Sequence, residues 1–373
     1  MQHEVASALD QHDYKGAAQL LKQWQEQSPK DPWLGIYIGR YQEATGKAKA
    51  AETTYRNLLK VTRNSRIMTQ ARQGIERIMA AQEAERQDAI AQAKAAPGSD
   101  QPAVLLLDPV APDQRAEAAQ GLATVMKLDP YTARMQLPGK GFRMYRVGGI
   151  GELQHYGEAL KAANTPVYWT KLTDLTNIEV FQVLFFRAVA PHAVVVCAND
   201  SKQMGTITFS WSEVNQRVTG LLPIFESVID LGPWQKLERK QKTQDYAHCL
   251  DLHLYGRSTI LRLCDRTYEF QQGDPFSDAD AVQPALSQTT TRINWNRLTQ
   301  YIDAQVKSPI LSDFTAFGEG ALEYIDLLSG FNPCLDLARV KPSNWDSAFQ
   351  LYSSLCFRRG QAATAAQFEH LLN

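Results

Sequence analysis

The chain repeats itself near its start. Tyr14, Ala17, Leu21, Trp24 and Pro29 sit in one helical hairpin, and thirty-four residues on Ala17 is answered by Ala51 and Leu21 by Tyr55. A period of that length holds two antiparallel helices with their turns, and such hairpins bury their apolar stripes by stacking on their neighbours. The echo commits the first quarter of the chain to helices and to a surface of the kind that binds other chains.

The second hairpin is the clearer. Ile38 and Gly39 fall on its first helix, Gly46 closes the turn, and Ala51, Tyr55 and Leu58 line its second helix at i, i+4 and i+7. Small residues at Gly39 and Ala51 let the two helices approach closely, and Gly46 supplies the conformational freedom of the turn. These six residues stand where the tetratricopeptide pattern asks for leucine, glycine, glycine, alanine, aromatic and alanine, so residues 2–62 resemble that family; Tyr14, Ala17, Leu21 and Pro29 fit less fully. The second hairpin departs from the pattern at its closing proline, where Arg63 stands. Two repeats bury too little core alone. The apolar stripe of Ile67, Met68, Ala71, Ile75, Ile78 and Met79 predicts a capping helix over 66–79, followed by a polar, alanine-rich helix, within a helical array spanning 1–94. The resemblance implies a concave groove lined by the first helix of each hairpin, here Trp33, Ile36, Arg40 and Glu43. Trp33 would anchor a partner's peptide or helix and Arg40 would pair a carboxylate. The alternative is that Trp33 packs on its own array and Arg40 is merely solvated.

Ala95–Pro102, rich in Pro, Gly, Ser and Asp, reads as a linker. Residues 103–175 then predict the order β-α-α-β-α-β, similar in layout to the C-terminal domain of the bacterial ribosomal stalk protein and to small domains of uncharacterised bacterial proteins with a DPxxAR segment, here Asp129–Arg134. Gly148, Gly149 and Gly151 lie between a strand and a helix, where backbone N–H groups can hold phosphate. Without a GxGxxG spacing or a P-loop lysine, a plain turn is the favoured reading.

Residues 178–306 change to short strands closed by a helix over Ile293–Val306. This layout resembles the pleckstrin-homology-like superfold. Lys236, Arg239, Lys240 and Lys242 form a basic stretch that, on the resemblance, would contact an anionic protein patch or membrane surface; a solvated loop is the favoured reading. Alternation sets Leu250, Leu252 and Leu254 on one face of a strand and Cys249, Asp251 and His253 on the other. That triplet has zinc-ligating chemistry but no evident fourth ligand, so a half-buried strand face is preferred and no metal is expected. Residues 307–373 predict three helices, over Leu311–Ser329, Asn344–Arg358 and Gln361–Leu372, with Gly360 breaking the last two apart.

The fold class expected is multidomain α+β: helical array, small α/β unit, antiparallel β domain with its closing helix, and C-terminal helices. A net charge of −1 gives no global reason to expect nucleic acid. Five widely spaced cysteines without a CxxC predict free thiols in a reducing compartment. The apolar runs fall short of the roughly 18 residues of a membrane span, and the first residues lack the basic start and apolar run of a signal peptide, so a cytoplasmic protein is expected. No catalytic motif and no cofactor site stand out. The favoured reading is a protein-binding adaptor or scaffold acting in the assembly or regulation of a larger complex. The alternatives are a ligand sensor or enzyme with its site between the α/β and β domains, and a peripheral membrane protein using the basic loop.

Overall fold

A computed structural model of the chain describes residues 1–231, 237–274, 276, 290–339 and 342–372, with the side chains of 226–231, 237–242 and 367–372 left out. The chain divides into two compact units, Met1–Ala96 and Pro97–Asn373.

The first unit is wholly helical: α1 (Gln2–Asp10), α2 (Tyr14–Gln27), α3 (Pro32–Ala44), α4 (Ala48–Val61) and α5 (Ser65–Ala95). Side chains written into the sequence start three of these helices, α2, α3 and α5. The Asp13 carboxylate accepts the Gly16 amide at 2.9 Å, Asp31 the Trp33 amide at 3.0 Å, and the Asn64 side chain the Arg66 amide at 3.0 Å. Pro32 occupies the first turn of α3, where its missing N–H costs nothing. Gly46 takes φ +75° in the α3–α4 turn. The echoed positions are the centres of two cores: Ala17 and Leu21 with Val5, Leu9, Trp24 and Leu34, and Ala51 and Tyr55 with Ile36, Ile67, Ala71 and Ile78. The Tyr55 ring lies between Gly39 of α3 and Gly74 of α5; a methyl group on either glycine would run into it. The capping stripe and the polar stretch after it are one unbroken helix of 31 residues.

The second unit begins with β1 (Pro102–Leu107), α6 (Arg115–Met126), α7 (Pro130–Gln136), β2 (Arg143–Gly149), α8 (Ile150–Ala162) and β3 (Val167–Lys171). This is the expected order, and the sheet is antiparallel with β1 central. Five consecutive β1 residues, Ala103–Leu107, are fully buried, which is why the strand reads as an apolar run without alternation. A short α9 (Leu172–Thr176) leads into a seven-stranded sheet made of β4 (Glu179–Ala188), β5 (Ala193–Ala198), β6 (Met204–Phe209), β7 (Gln216–Leu231), β8 (Leu237–Leu254), β9 (Thr259–Cys264) and β10 (Ile310–Leu311), in the order β10-β7-β8-β9-β4-β5-β6.

Two antiparallel meanders, β4-β5-β6 and β7-β8-β9, make up most of this sheet. They join through a parallel β4–β9 pair, and β10 adds to β7 in parallel, so the sheet is mixed where antiparallel pairing was expected throughout. α10 (Thr291–Gln305) packs Trp295, Leu298 and Ile302 against Leu250, Leu252 and Leu254 on one face. The opposite face carries α11 (Phe314–Ala321), α12 (Ile325–Leu328) and α13 (Asn344–Leu372), and its core is continuous with Val104, Leu106 and Met144 of the first sheet.

Three expected elements differ. Thr267–Phe270 is not a strand: the Thr267 and Tyr268 amides bond back to the Cys264 carbonyl, and the Tyr268 hydroxyl takes the Phe186 amide at 3.0 Å. The helix expected over Leu311–Ser329 is broken at 322–324 into α11 and α12. Gly360 does not break the last helix. It lies inside α13, where a side chain would collide with the Tyr255 hydroxyl.

Candidate functional site

The groove residues expected on the helical array have different fates. Ile36 is corrected outright: it is 2% exposed, inside the core with Tyr55 and Ile67, and presents nothing to a partner. Glu43 is engaged within the array. It accepts the Tyr55 hydroxyl and lies 3.0 Å from the Arg77 guanidinium, tying α3 to α4 and α5. Burial, and then the Glu43 carboxylate, push the Tyr55 phenol far above its ordinary range, while hydrogen bonding to Glu43 raises Arg77. The phenol therefore stays protonated and the triad carries one ion pair.

Trp33 and Arg40 remain at the surface. Trp33 is half-buried, set against the apolar residues of both hairpin cores. Arg40 lies over the Tyr37 ring at 5.6 Å and reaches the Asp10 carboxylate only at 3.8 Å, too far for a hydrogen bond. Trp33, Tyr37 and Arg40 follow at i, i+4 and i+7 along one face of α3. Tyr37 was not among the four residues expected on this helix. Trp24 fixes this face from beneath: its indole N–H donates to Asp31, the cap of α3, at 3.2 Å, and its ring meets Tyr37 at 5.6 Å.

The other candidates lie in the second unit. Of the basic stretch, Lys236 and the side chains of Arg239, Lys240 and Lys242 lie outside the described residues. The glycine turn at 148–151 has its backbone occupied: the Ile150 amide bonds to the Gln101 carbonyl at 2.9 Å and the Gly151 amide to the Ser99 carbonyl at 3.0 Å. Those two N–H groups are not free for phosphate.

On β8, Cys249, Asp251 and His253 share the face turned toward α13, and Cys264 of β9 pairs directly opposite Cys249. Among the described residues no group of three or more His, Cys, Asp or Glu is placed to hold a metal. Asp251 instead forms a fully buried ion pair with Arg262, at 2.9 Å to Nε and 2.6 Å to Nη2. Arg262 Nη1 reaches Gln350 at 2.8 Å and the Pro333 carbonyl. Ser353 of α13 donates to Asp251 at 2.5 Å and lies 2.9 Å from His253 Nε2. The single hydroxyl proton of Ser353 goes to Asp251, so His253 must donate from Nε2, leaving Nδ1 as a buried acceptor without a partner.

This His–Ser–Asp chain has the residue types of a hydrolase triad in the wrong order. The serine sits in the middle with its proton aimed at the acid, and all three side chains are sealed from solvent. Burial lowers the His253 pKa to about 4, against the pull of Asp251, so the imidazole is neutral. Burial also opposes the Arg262 charge, yet Asp251 beside it raises Arg262 overall.

Around this network the segment from Gly330 to Cys334, the β5–β6 turn and the start of β4 wall a cleft of 470 Å³, with Asn177, Glu179, Asp200, Asn332, Cys334 and Gln350 in its lining. Asn332 is engaged by the Cys334 amide at 3.1 Å, while Asn177 and Glu179 make no side-chain hydrogen bond among the described residues.

Stacked hairpins with an aromatic and cationic stripe on a first helix define a helical-repeat module. Residues 8–73 match the tetratricopeptide repeat family, so the chain contains tetratricopeptide repeats over that part of its length. No curated protein and no solved structure matches it. Among the described residues no helix is long and apolar enough to cross a membrane.

Proposed function

We propose that the protein is an adaptor that binds another protein through the surface of α3, in the assembly or regulation of a larger complex. Repeats of this family generally mediate protein–protein contact. The observation that carries the reading is the α3 stripe: Trp33 and Tyr37 are half-buried rings, and Arg40 is a half-buried cation that lies over Tyr37 with the Asp10 carboxylate 3.8 Å away. Rigid aromatics beside a guanidinium are the usual anchors of an interface. Binding would be without chemistry. The test is recovery of partners from cells by the full chain and by Trp33→Ala/Arg40→Glu. Proteins recovered by the first and lost by the second support the reading; identical recovery removes it.

A second reading, a ligand sensor, has the 470 Å³ cleft in its favour, which is of a size for a small polar molecule. Native mass spectrometry of the purified chain tests it, and a mass matching the bare polypeptide counts against it.

A further inference from the structure

The array is electrically lopsided. Residues 1–46 hold four Lys and Arg against six Asp and Glu, whereas residues 47–77 hold eight against two, Glu52 and Glu76. Two of those eight cations are paired, Arg56 with Glu52 at 2.6 Å and Arg77 with Glu43 at 3.0 Å. The other six, Lys47, Lys49, Lys60, Arg63, Arg66 and Arg72, are exposed and make no side-chain hydrogen bond or ion pair among the described residues. Lys49, Arg56 and Lys60 follow one another along the outer stripe of α4, and Arg63 and Arg66 continue the charge into the turn and the first residues of α5. Arg63 is the residue that stands in place of the family's closing proline. Exposed cations that outnumber the carboxylates of Glu52 and Glu76 along this segment repel one another, and an anionic surface would relieve that repulsion.

We infer that this outer face of α4 and the α4–α5 turn docks an acidic segment of a partner protein. The inference rests on the reading of the array as a binding module and adds a second, electrostatic surface to it. From Lys49 to Lys60 the stripe runs about 16 Å, the reach of a short peptide carrying several carboxylates. Arg63, Arg66 and Arg72 offer planar forks suited to bidentate carboxylate pairing. A membrane surface is disfavoured, because Val61, 80% exposed, is the one exposed large apolar side chain among these cations. Single-stranded nucleic acid is disfavoured because no exposed aromatic ring stands among them to stack a base.

The test titrates full-length protein with a fluorescein-labelled polyglutamate peptide, read by fluorescence anisotropy at low and high salt, beside a single-stranded oligonucleotide and phosphatidylserine vesicles. The expected result is salt-sensitive peptide binding that weakens about tenfold in Lys60→Glu/Arg63→Glu/Arg66→Glu and keeps its affinity in Lys22→Glu, which reverses an exposed cation of α2. The milder Lys60→Gln/Arg63→Gln/Arg66→Gln variant should weaken it less, and circular dichroism checks that each variant is folded. Absence of peptide binding, or equal affinity in the charge-reversed protein, overturns the inference. So does tighter, reversal-sensitive binding of the oligonucleotide or the vesicles, which would assign the face to nucleic acid or lipid. The partner-recovery experiment on the α3 stripe is independent of this titration, so either can fail alone.

Discussion

The two units bury polar groups in opposite ways. The array keeps its ionic groups near the surface: Glu43 and Arg77 meet at 3.0 Å, with the arginine side chain 53% exposed. The second unit encloses Asp251 and Arg262 completely, with Ser353, His253 and Gln350 as their partners. The array's contacts lie between helices at most two apart in the chain, so a short-period pattern can specify them. The buried network joins β8 and β9 to a helix about ninety residues further on, where each group has only its partners to replace water. A module built the first way tolerates change at its surface. One built the second way is intolerant, because removing one partner leaves the other charge buried and uncompensated.

The sharpest break in this comparison is removal of one partner of the enclosed pair. Arg262→Ala should cost about 3–5 kcal/mol in urea unfolding, because Asp251 is left charged and buried. Hydrogen exchange should rise together across β8, β9 and α13; a loss below about 1 kcal/mol would mean that water already reaches the network.

Acid should distinguish the two units next. His253 binds its proton at about 4 when folded against an ordinary 6.5. The unfolded chain therefore holds more protons between those values, and stability falls as pH drops through the window, by up to about 3 kcal/mol at the acid end. His253→Asn should lower overall stability yet flatten that slope. Equal slopes in the two proteins would take His253 out of the acid response.

Gly39→Val probes the array. The added side chain must push the Tyr55 ring aside, at a cost of about 1–3 kcal/mol, with exchange rising in α3, α4 and α5.

The smallest effect tests a sign. In an open helix, Gly→Ala stabilises by about 1 kcal/mol. At Gly360 the methyl group meets the Tyr255 hydroxyl, so Gly360→Ala should destabilise instead, measured as a lower midpoint in thermal unfolding. A higher midpoint would show that Tyr255 yields without loss.

The sequence by itself determined the array. The echo of Ala17 and Leu21 in Ala51 and Tyr55, the helix starts at Asp13, Asp31 and Asn64, and the stripe of Ile67, Ala71 and Ile78 act within one or two turns or at a fixed period. The strand alternation of Leu250, Leu252 and Leu254 was legible for the same reason, as was the β-α-α-β-α-β order. The family's pattern proposed all four groove positions, Trp33, Ile36, Arg40 and Glu43, on equal terms. Ile36 and Glu43 could not be sorted from the other two, because the spacing of a helix does not say which neighbour covers a given face. Only the tertiary structure decided that Ile36 lies under α5 and that Glu43 is held by Tyr55 and Arg77. It likewise decided that Gly360 makes room for Tyr255 instead of ending a helix. The parallel β4–β9 pair and the enclosure of Asp251, Arg262 and His253 by Ser353 and Gln350 depend on contacts far apart in the chain, where burial is set by what arrives from elsewhere and leaves no local period to read.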